Sequence, residues 1–581
     1  MPERPVIIAN CSGFYGDRLS AAREMVEGGP IDVLTGDWLA ELTMLILWKA
    51  KARHADGGYA TTFLTQMEHV LGTCAERGIK VVTNAGGLNP AGCAAKVREV
   101  AARLGVTVNV AHIEGDDLMD RIDGLRPHLD HLDTGAPLTA DPVSANAYLG
   151  GWGITAALDH GADVVVCPRV TDAALVVGPA AWWWGWSPTD WDRLAGAVAA
   201  GHVIECGPQA SGGNFSFFTE LGDDPGRGPS RPLGFPIAEV AADGSAVITK
   251  HPGTGGRVTV ETVTAQLLYE IGPPAYPNPD VVARFDTVAL TEDGPDRVRI
   301  GGTRGEPAPA TTKVAINYDG GYRNRMTFVL TGLDQEAKAA WLEDALVQGM
   351  GGPAALAERG VTLDVRCSPV APDGPDQERA SGLLHVTAKG PDERSVGRAF
   401  SSAAVELALA SIPGFFTTSA PGPASAYGVY WPALVPAAEV DHRVVLDDGR
   451  RLAVPASPTG PPSDAPITAP AVDAPAADLP PGTVLGDHFG ARSGDKGGNA
   501  NVGIWARDDA GYAWLAAHLT AERVRQLLPE TGDRPIERYE LANLRALNFV
   551  LVGYLGEGVA SSTAFDPQAK GLGEYLRSRR V

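Results

Sequence analysis

The sequence predicts an α/β protein in which a parallel-sheet amino-terminal region continues into an α+β subdomain, followed by a Pro/Ala-rich linker and a small α+β carboxy-terminal domain. Three observations carry that prediction. In the first half, short continuous apolar runs alternate with helical periods, the pattern of strands buried on both faces of a sheet. Beyond about residue 285 the texture shifts to strand-like stretches separated by Asp-Gly and Gly-Gly turns. Residues 455–482 are rich in Pro and Ala and lack aromatics, so they cannot bury much apolar area. The expected divisions are 1–285, 286–454, 455–482 and 483–581.

The elements follow in order. "PVIIAN" leads through "CSGFYGDR" to the helix "LSAAREMVEGG". "IDVLTGD" leads to "WLAELTMLILWKAKA", and "IKVVTNAGGLNP" to "AGCAAKVREVAARLG". "VTVNVAHIEGDD" and "ADVVVCPRVTDAAL" continue the series. "FDTVALTEDGPDRVRIGG" and "TTKVAINYDGGYRNRMTFVLTG" predict hairpins, with helices at "LDQEAKAAWLEDALVQG" and "DERSVGRAFSSAAVELALASI". After the linker, strands at "TVLGDHFGAR", "NVGIWAR" and "IERYELANLRALNFVLVG" flank the helix "AWLAAHLTAERVRQLLP".

The chain of 581 residues carries a formal charge of −22 and no Lys/Arg run, which speaks against nucleic acid and anionic membranes as partners. The longest apolar helix candidate breaks at Lys49, short of a membrane span. Six scattered cysteines without a CxxC pair favour a reducing, cytoplasmic setting. No Walker loop, dinucleotide fingerprint, GxSxG elbow or zinc spacing is present, so the expected partner is a small molecule and no redox cofactor or metal motif is evident.

In parallel α/β sheets, the loops leaving the carboxyl ends of strands share one edge. Three such loops are polar and Gly-rich: residues 10–18 with Asn10, Ser12 and Gly13, residues 84–89 with Asn84, Gly86 and Gly87, and residues 169–172 with Arg169 and Asp172. They are candidate ligand-binding groups, or ordinary capped turns. Asp37 and Glu41 stand at i, i+4 spacing, either as paired acid/base carboxylates or as a helix cap and a solvated first-turn residue. His202 and Glu205 are proton-transfer candidates beside Cys206, or a structural His and a buried thiol. "KHPGTGG" is an anion-holding turn or a hairpin. Five tryptophans between residues 182 and 191 would line a pocket or an oligomer interface. In "RSGDKGGNANVG", Arg492, Ser493, Asp495, Lys496, Asn499 and Asn501 exceed what a turn needs. An anion nest or a domain contact closing over the amino-terminal loops is expected there.

The ordered series "NCSGFYGDR", "LTGDWLAELTM", "KVVTNAGGLNP", "GHVIECGPQASGG", "KHPGTGG" and "QLLYEIGPPAY" resembles the acyclic terpene utilisation (AtuA-like) family over about residues 5–450. "ARSGDKGGNANVGIWAR", "RYELANLRALNFVL" (Ala542 where the family pattern has Pro) and "GLGEYL" resemble the small domain often fused to it. The resemblance implies a ferredoxin-like fold for that domain and a role in bacterial growth on acyclic isoprenoids. Residues 483–581 hold no cysteine, so no Cys-ligated cluster is expected there. The function expected is an enzyme acting on a branched acyl-CoA or carboxylate, of hydratase or lyase type, with CoA part of the substrate. A noncatalytic acyl-CoA-binding or scaffold subunit and a metal-dependent hydrolase are the alternatives. Homo-oligomerisation is compatible with the Trp-rich tract.

Overall fold

The computed structural model describes residues 3–222, 224, 226–461 and 474–581, except the side chains of residues 41 and 42. The middle of the expected linker therefore lies outside the described residues. The chain forms two compact units: residues up to 317 with 430–559 and 566–581, and residues 318–429 with 560–565.

The first unit is built around a sheet that, among the described residues, has eleven strands. Its centre is the parallel set β1 (Val6–Asn10), β2 (Val33–Gly36), β3 (Lys80–Thr83), β4 (Val110–Glu114) and β5 (Val164–Val166), in the spatial order β1-β2-β3-β5-β4. Antiparallel strands extend it on both sides, Pro236–Val240 beside β1 and Arg443–Val445 beside β4. Strands on both sides of residue 285 join this one sheet, since Ala289–Glu292 and Val298–Gly301 extend it as well.

Period-two alternation within β-strands sorts the core into two layers. Ala9, Leu34, Val81, Val110 and Val164 face one cluster, packed by α1 (Ala21–Gly28), α3 (Thr61–Arg77) and α4 (Pro90–Leu104). Ile8, Val33, Val82, Ala111 and Val165 face the other, packed by α5 (Trp152–Asp159), α6 (Ala174–Trp184) and α7 (Trp191–Ile204). Between α1 and α3 lies α2 (Glu41–Arg53). Helix α7 is buried from Leu194 to its end, as its almost uninterrupted apolar sequence requires. Helix α4 starts where Pro90 fits the first turn and Asn89 accepts a hydrogen bond from the Gly92 N–H, and Gly105 at φ 69° ends it.

The carboxy-terminal domain belongs to the same unit. Strands β6 (Phe489–Lys496), β7 (Asn499–Ala506), β8 (Ile536–Leu541) and β9 (Ala546–Leu551) form an antiparallel sheet in the order β6-β7-β9-β8. Ala500, Val502 and Ile504 point into a core shared with α8 (Asp509–His518), α9 (Ala521–Leu527) and α10 (Leu572–Arg577). The opposite face, carrying Trp505 and Ala546, is buried in the α/β core. Gly503 is required there, because a Cβ would come within 2.6 Å of the Leu268 Cβ.

In the second unit, Ser381–Gly390 pairs antiparallel with Thr362–Ser368 and with residues 322–331. Helices Gln335–Gly349 and Arg398–Glu406 supply the apolar cluster of Leu342, Leu346, Phe400 and Ala404. Among the described residues, no helix is long and apolar enough to cross a membrane.

Candidate functional site

The loops after β1, β2 and β5 meet at one edge of the sheet and open into a cleft of about 1710 Å³. Gly13 to Asp17, Asp37, Arg169, Asp172 and Glu205 line it, together with the segment after Leu268 and residues of the carboxy-terminal domain. That edge is also where the strand order turns back, with β5 inserted between β3 and β4, the position at which open α/β sheets place ligands.

Asp37 is buried, and its Oδ1 accepts hydrogen bonds from the Asn84 amide and the Leu39 N–H. Burial and the nearby charge of Asp172 hold its carboxyl well above the usual carboxylate range. Asn84 also accepts from the Trp38 N–H at 2.8 Å. Asn84, Gly86 and Gly87 therefore stand behind the cleft wall rather than on it, and a Cβ at Gly86 would lie 2.5 Å from the Cys167 carbonyl. Glu41 opens α2, but its side chain is outside the described residues.

Arg169 is only 3% exposed yet lines the cleft. Its Nη1 donates to Asp172 at 2.8 Å and to the Leu39 carbonyl at 3.1 Å, and its guanidinium lies 4.2 Å from the centre of the Tyr148 ring. This fixes a planar cation at the polar end of the cleft.

Glu205 caps α7 and reaches the cleft, while His202, one turn back, does not. Burial, with Asp172 and Glu270 nearby, holds the Glu205 carboxyl well above the carboxylate range. His202 sits between the rings of Tyr276 and Phe285, and burial pushes its imidazole down to about 4. The two side chains approach to 3.2 Å without hydrogen-bond geometry. Burial disfavours the charged form of each, so this contact is not an ion pair. The end of α7 is fixed by Asn10, whose amide donates to the carbonyls of Ile204 and Glu205. Asn10 thus positions Glu205 instead of meeting ligand. Ser12 is fully buried and donates to the Phe14 carbonyl. Gly13 does line the cleft, with its Cα so close to Cys206 that a Cβ would lie 2.6 Å from the Cys206 carbonyl carbon. Burial raises the Cys206 thiol, which disfavours the thiolate a nucleophile needs.

"RSGDKGGNANVG" is a β-hairpin, not an anion nest. Strands β6 and β7 pair up to Lys496 opposite Asn499, leaving a two-residue turn with Gly497 at φ 63°. The ladder uses the backbone groups that a nest would have offered. Asp495, Lys496 and Asn499 line the cleft. Arg492 stacks 4.1 Å from the centre of the Tyr269 ring and bonds to Gln209, Ser493 donates to the Ala569 carbonyl, and buried Asn501 donates to the Leu268 carbonyl. Arg492 and Asn501 are therefore domain contacts, whereas Ser493 braces the carboxy-terminal domain internally.

Sequence reasoning missed Glu270, Lys570, Tyr148 and Tyr276, all on the cleft wall. Lys570 contacts the Tyr269 hydroxyl and lies 3.5 Å from Glu270 Oε1 and 3.7 Å from Asp495 Oδ1. Glu270, Tyr276 and Lys570 lie in or beside "QLLYEIGPPAY" and "GLGEYL", but residue type alone gave them no role. In "KHPGTGG", the Lys250 ammonium is held by Thr254 and Asp296. The indole N–H groups of Trp183, Trp184 and Trp186 donate to backbone carbonyls, and none of these rings lines the cleft. Among the described residues, no group of three or more His, Cys, Asp or Glu is arranged to hold a metal ion.

The family model described as "Acyclic terpene utilisation family protein AtuA" matches residues 6–446, and that of the "AtuA ferredoxin-like domain" matches residues 485–581. No curated protein matches the chain.

Proposed function

Because the chain belongs to the acyclic terpene utilisation family AtuA, we propose that it is an enzyme transferring protons to and from a branched acyl substrate, adding water to a carbon–carbon double bond or removing it. One observation carries this reading: two carboxyl groups lining the cleft have opposite surroundings. Burial holds the Glu205 carboxyl well above the carboxylate range, whereas Asp172 is bonded to the Arg169 guanidinium. In hydration, Glu205 delivers its proton to one alkene carbon. Asp172 takes a proton from the water whose oxygen bonds to the other carbon. Arg169 and Lys496 receive the substrate carboxylate, and Phe14, Leu39, Ile46 and Leu132 receive the branched chain.

The cleft exceeds the roughly 300–1,000 Å³ of ordinary small-molecule pockets, which suits an extended substrate. Nine carboxyl side chains and four cationic ones line it among the described residues. That balance suits a monocarboxylate better than the polyanionic CoA thioester.

The test incubates the protein with geranic acid, and separately with geranyl-CoA, in deuterated water. Mass spectrometry follows the gain of water and of deuterium. Turnover of the acid is expected, with Glu205→Gln lowering kcat by about 10²–10⁴-fold, the range of general acid catalysis. Turnover of the thioester alone would keep the reaction and overturn the preference for the free acid. Absence of both products would refute the proposal.

A further inference from the structure

In residues 268–272 the Glu270 N–H and the carbonyls of Leu268, Glu270, Ile271 and Gly272 are hydrogen-bonded by the carboxy-terminal domain, while the Leu268 and Tyr269 N–H groups donate to the Thr264 and Gln266 carbonyls. Asn501 Nδ2 donates to the Leu268 carbonyl and its Oδ1 accepts from the Glu270 N–H, each at 2.8 Å. Lys496 Nζ donates to the Glu270 carbonyl at 2.7 Å. Asn548 Nδ2 donates to the carbonyls of Ile271 and Gly272 at 3.2 and 2.8 Å, and its Oδ1 accepts from the second Asn501 donor hydrogen. Both asparagines are fully buried.

The clamp holds an unfavourable conformation. Glu270 has φ 56°, in the left-handed region that a long unbranched side chain rarely occupies and that persists only when its surroundings over-determine it. Its side chain lies on the cleft wall near Lys570. Gly503 and Gly494 allow the close approach of this segment to the sheet, since a Cβ at Gly503 would lie 2.6 Å from the Leu268 Cβ and one at Gly494 would run into the Tyr269 ring.

We infer that the carboxy-terminal domain completes the cleft in cis, with Asn501 as the positioning residue that holds Glu270 in its left-handed conformation and aims its carboxylate into the site. This rests on the reading of the cleft as the substrate site. In that site Glu270 faces the same space as Glu205 and Lys496, where its charge adds to the upward shift of the Glu205 carboxyl.

Hydrogen exchange of the full chain tests the inference without any substrate. Asn501→Ala is expected to speed exchange in the peptide spanning 268–272 by at least tenfold, leaving β6, β7 and β9 within twofold of the parent. Glycine adopts the left-handed conformation at no steric cost. In a Glu270→Gly background the same Asn501→Ala change should therefore raise exchange at 268–272 by less than threefold. A purely structural loss would act equally in both backgrounds. If Asn501→Ala does not fold, Lys496→Met, which removes the donor to the Glu270 carbonyl, should raise exchange there by about threefold. Unchanged exchange at 268–272 in a folded variant, or an equal rise across both domains, overturns the inference. If the exchange result holds and the turnover assay still shows no product, the positioning stands and only the proposed reaction fails.

Discussion

Arg169 joins three parts of the cleft at once: the Leu39 carbonyl after β2, Asp172 beyond β5, and the Tyr148 ring. A lysine could neither stack flat nor reach both acceptors. Arg169→Lys is therefore expected to lower kcat/KM for the acid at least tenfold and to cost about 1–3 kcal/mol, since the partner Asp172 is part-exposed. Steady-state kinetics and denaturant melts check both. A second carboxyl makes stability depend on pH. Asp116 is buried and accepts from the Asn146 amide and the Arg169 N–H, and burial pushes it up to about 7. Its folded value lies above the roughly 3.9 of an unfolded chain, so the native state binds the extra proton between pH 4 and 7 and loses stability as pH rises through that window. Asp116→Asn should match the parent below pH 4 and exceed it by on the order of 1–4 kcal/mol at pH 8, measured by melts at a series of pH values. Asp37 and Arg169 were visible in the sequence because charged residues beside apolar strand ends have few other reasons to be there. Glu270 was not, because its role depends on a backbone angle and on an acceptor 231 residues away.

At the scale of elements, the strand-to-helix series was readable because "VIIAN", "KVVT" and "VVV" are apolar on both faces and each is followed by a polar loop. The antiparallel flanks were less so, since strands such as Arg443–Val445 are three residues long and carry no period. Of the two roles expected for the hairpin, nest and domain contact, sequence could not choose, because Gly497-Gly498 serves equally in a nest or a tight turn and only strand pairing decides. The contact of the loop after β1 with the end of α7 depends on Gly13. Gly13→Ala would force a Cβ against the Cys206 carbonyl carbon, 2.6 Å away as the backbone stands. The expected result is a loss of about 1–3 kcal/mol, as in overpacked cores, together with weaker ligand binding as Glu205 shifts. Thermal melts and titration calorimetry with the acid read the two effects.

For the whole molecule, the linker suggested a detachable carboxy-terminal domain, but that domain shares its core with the α/β sheet. Trp505, Leu541, Leu544 and Ala546 are buried there, with Phe215 stacked on Trp505. A fragment ending at residue 480 should aggregate when made alone, and co-expression of residues 481–581 should restore solubility and acid turnover. Recovery of a monodisperse, folded fragment on its own would contradict that expectation.

The clamp on Glu270 also has a consequence in time. Asn501 follows Glu270 by 231 residues. At 5–20 residues per second, a ribosome takes on the order of 10–50 s to make that stretch. Throughout that interval the central parallel strands of the large sheet exist while the clamped segment has no donors for its carbonyls. Each nascent chain thus carries an unfinished, partly apolar opening until the final hairpin emerges, and chaperone occupancy during synthesis should fall only after β7 and β9 have cleared the exit tunnel.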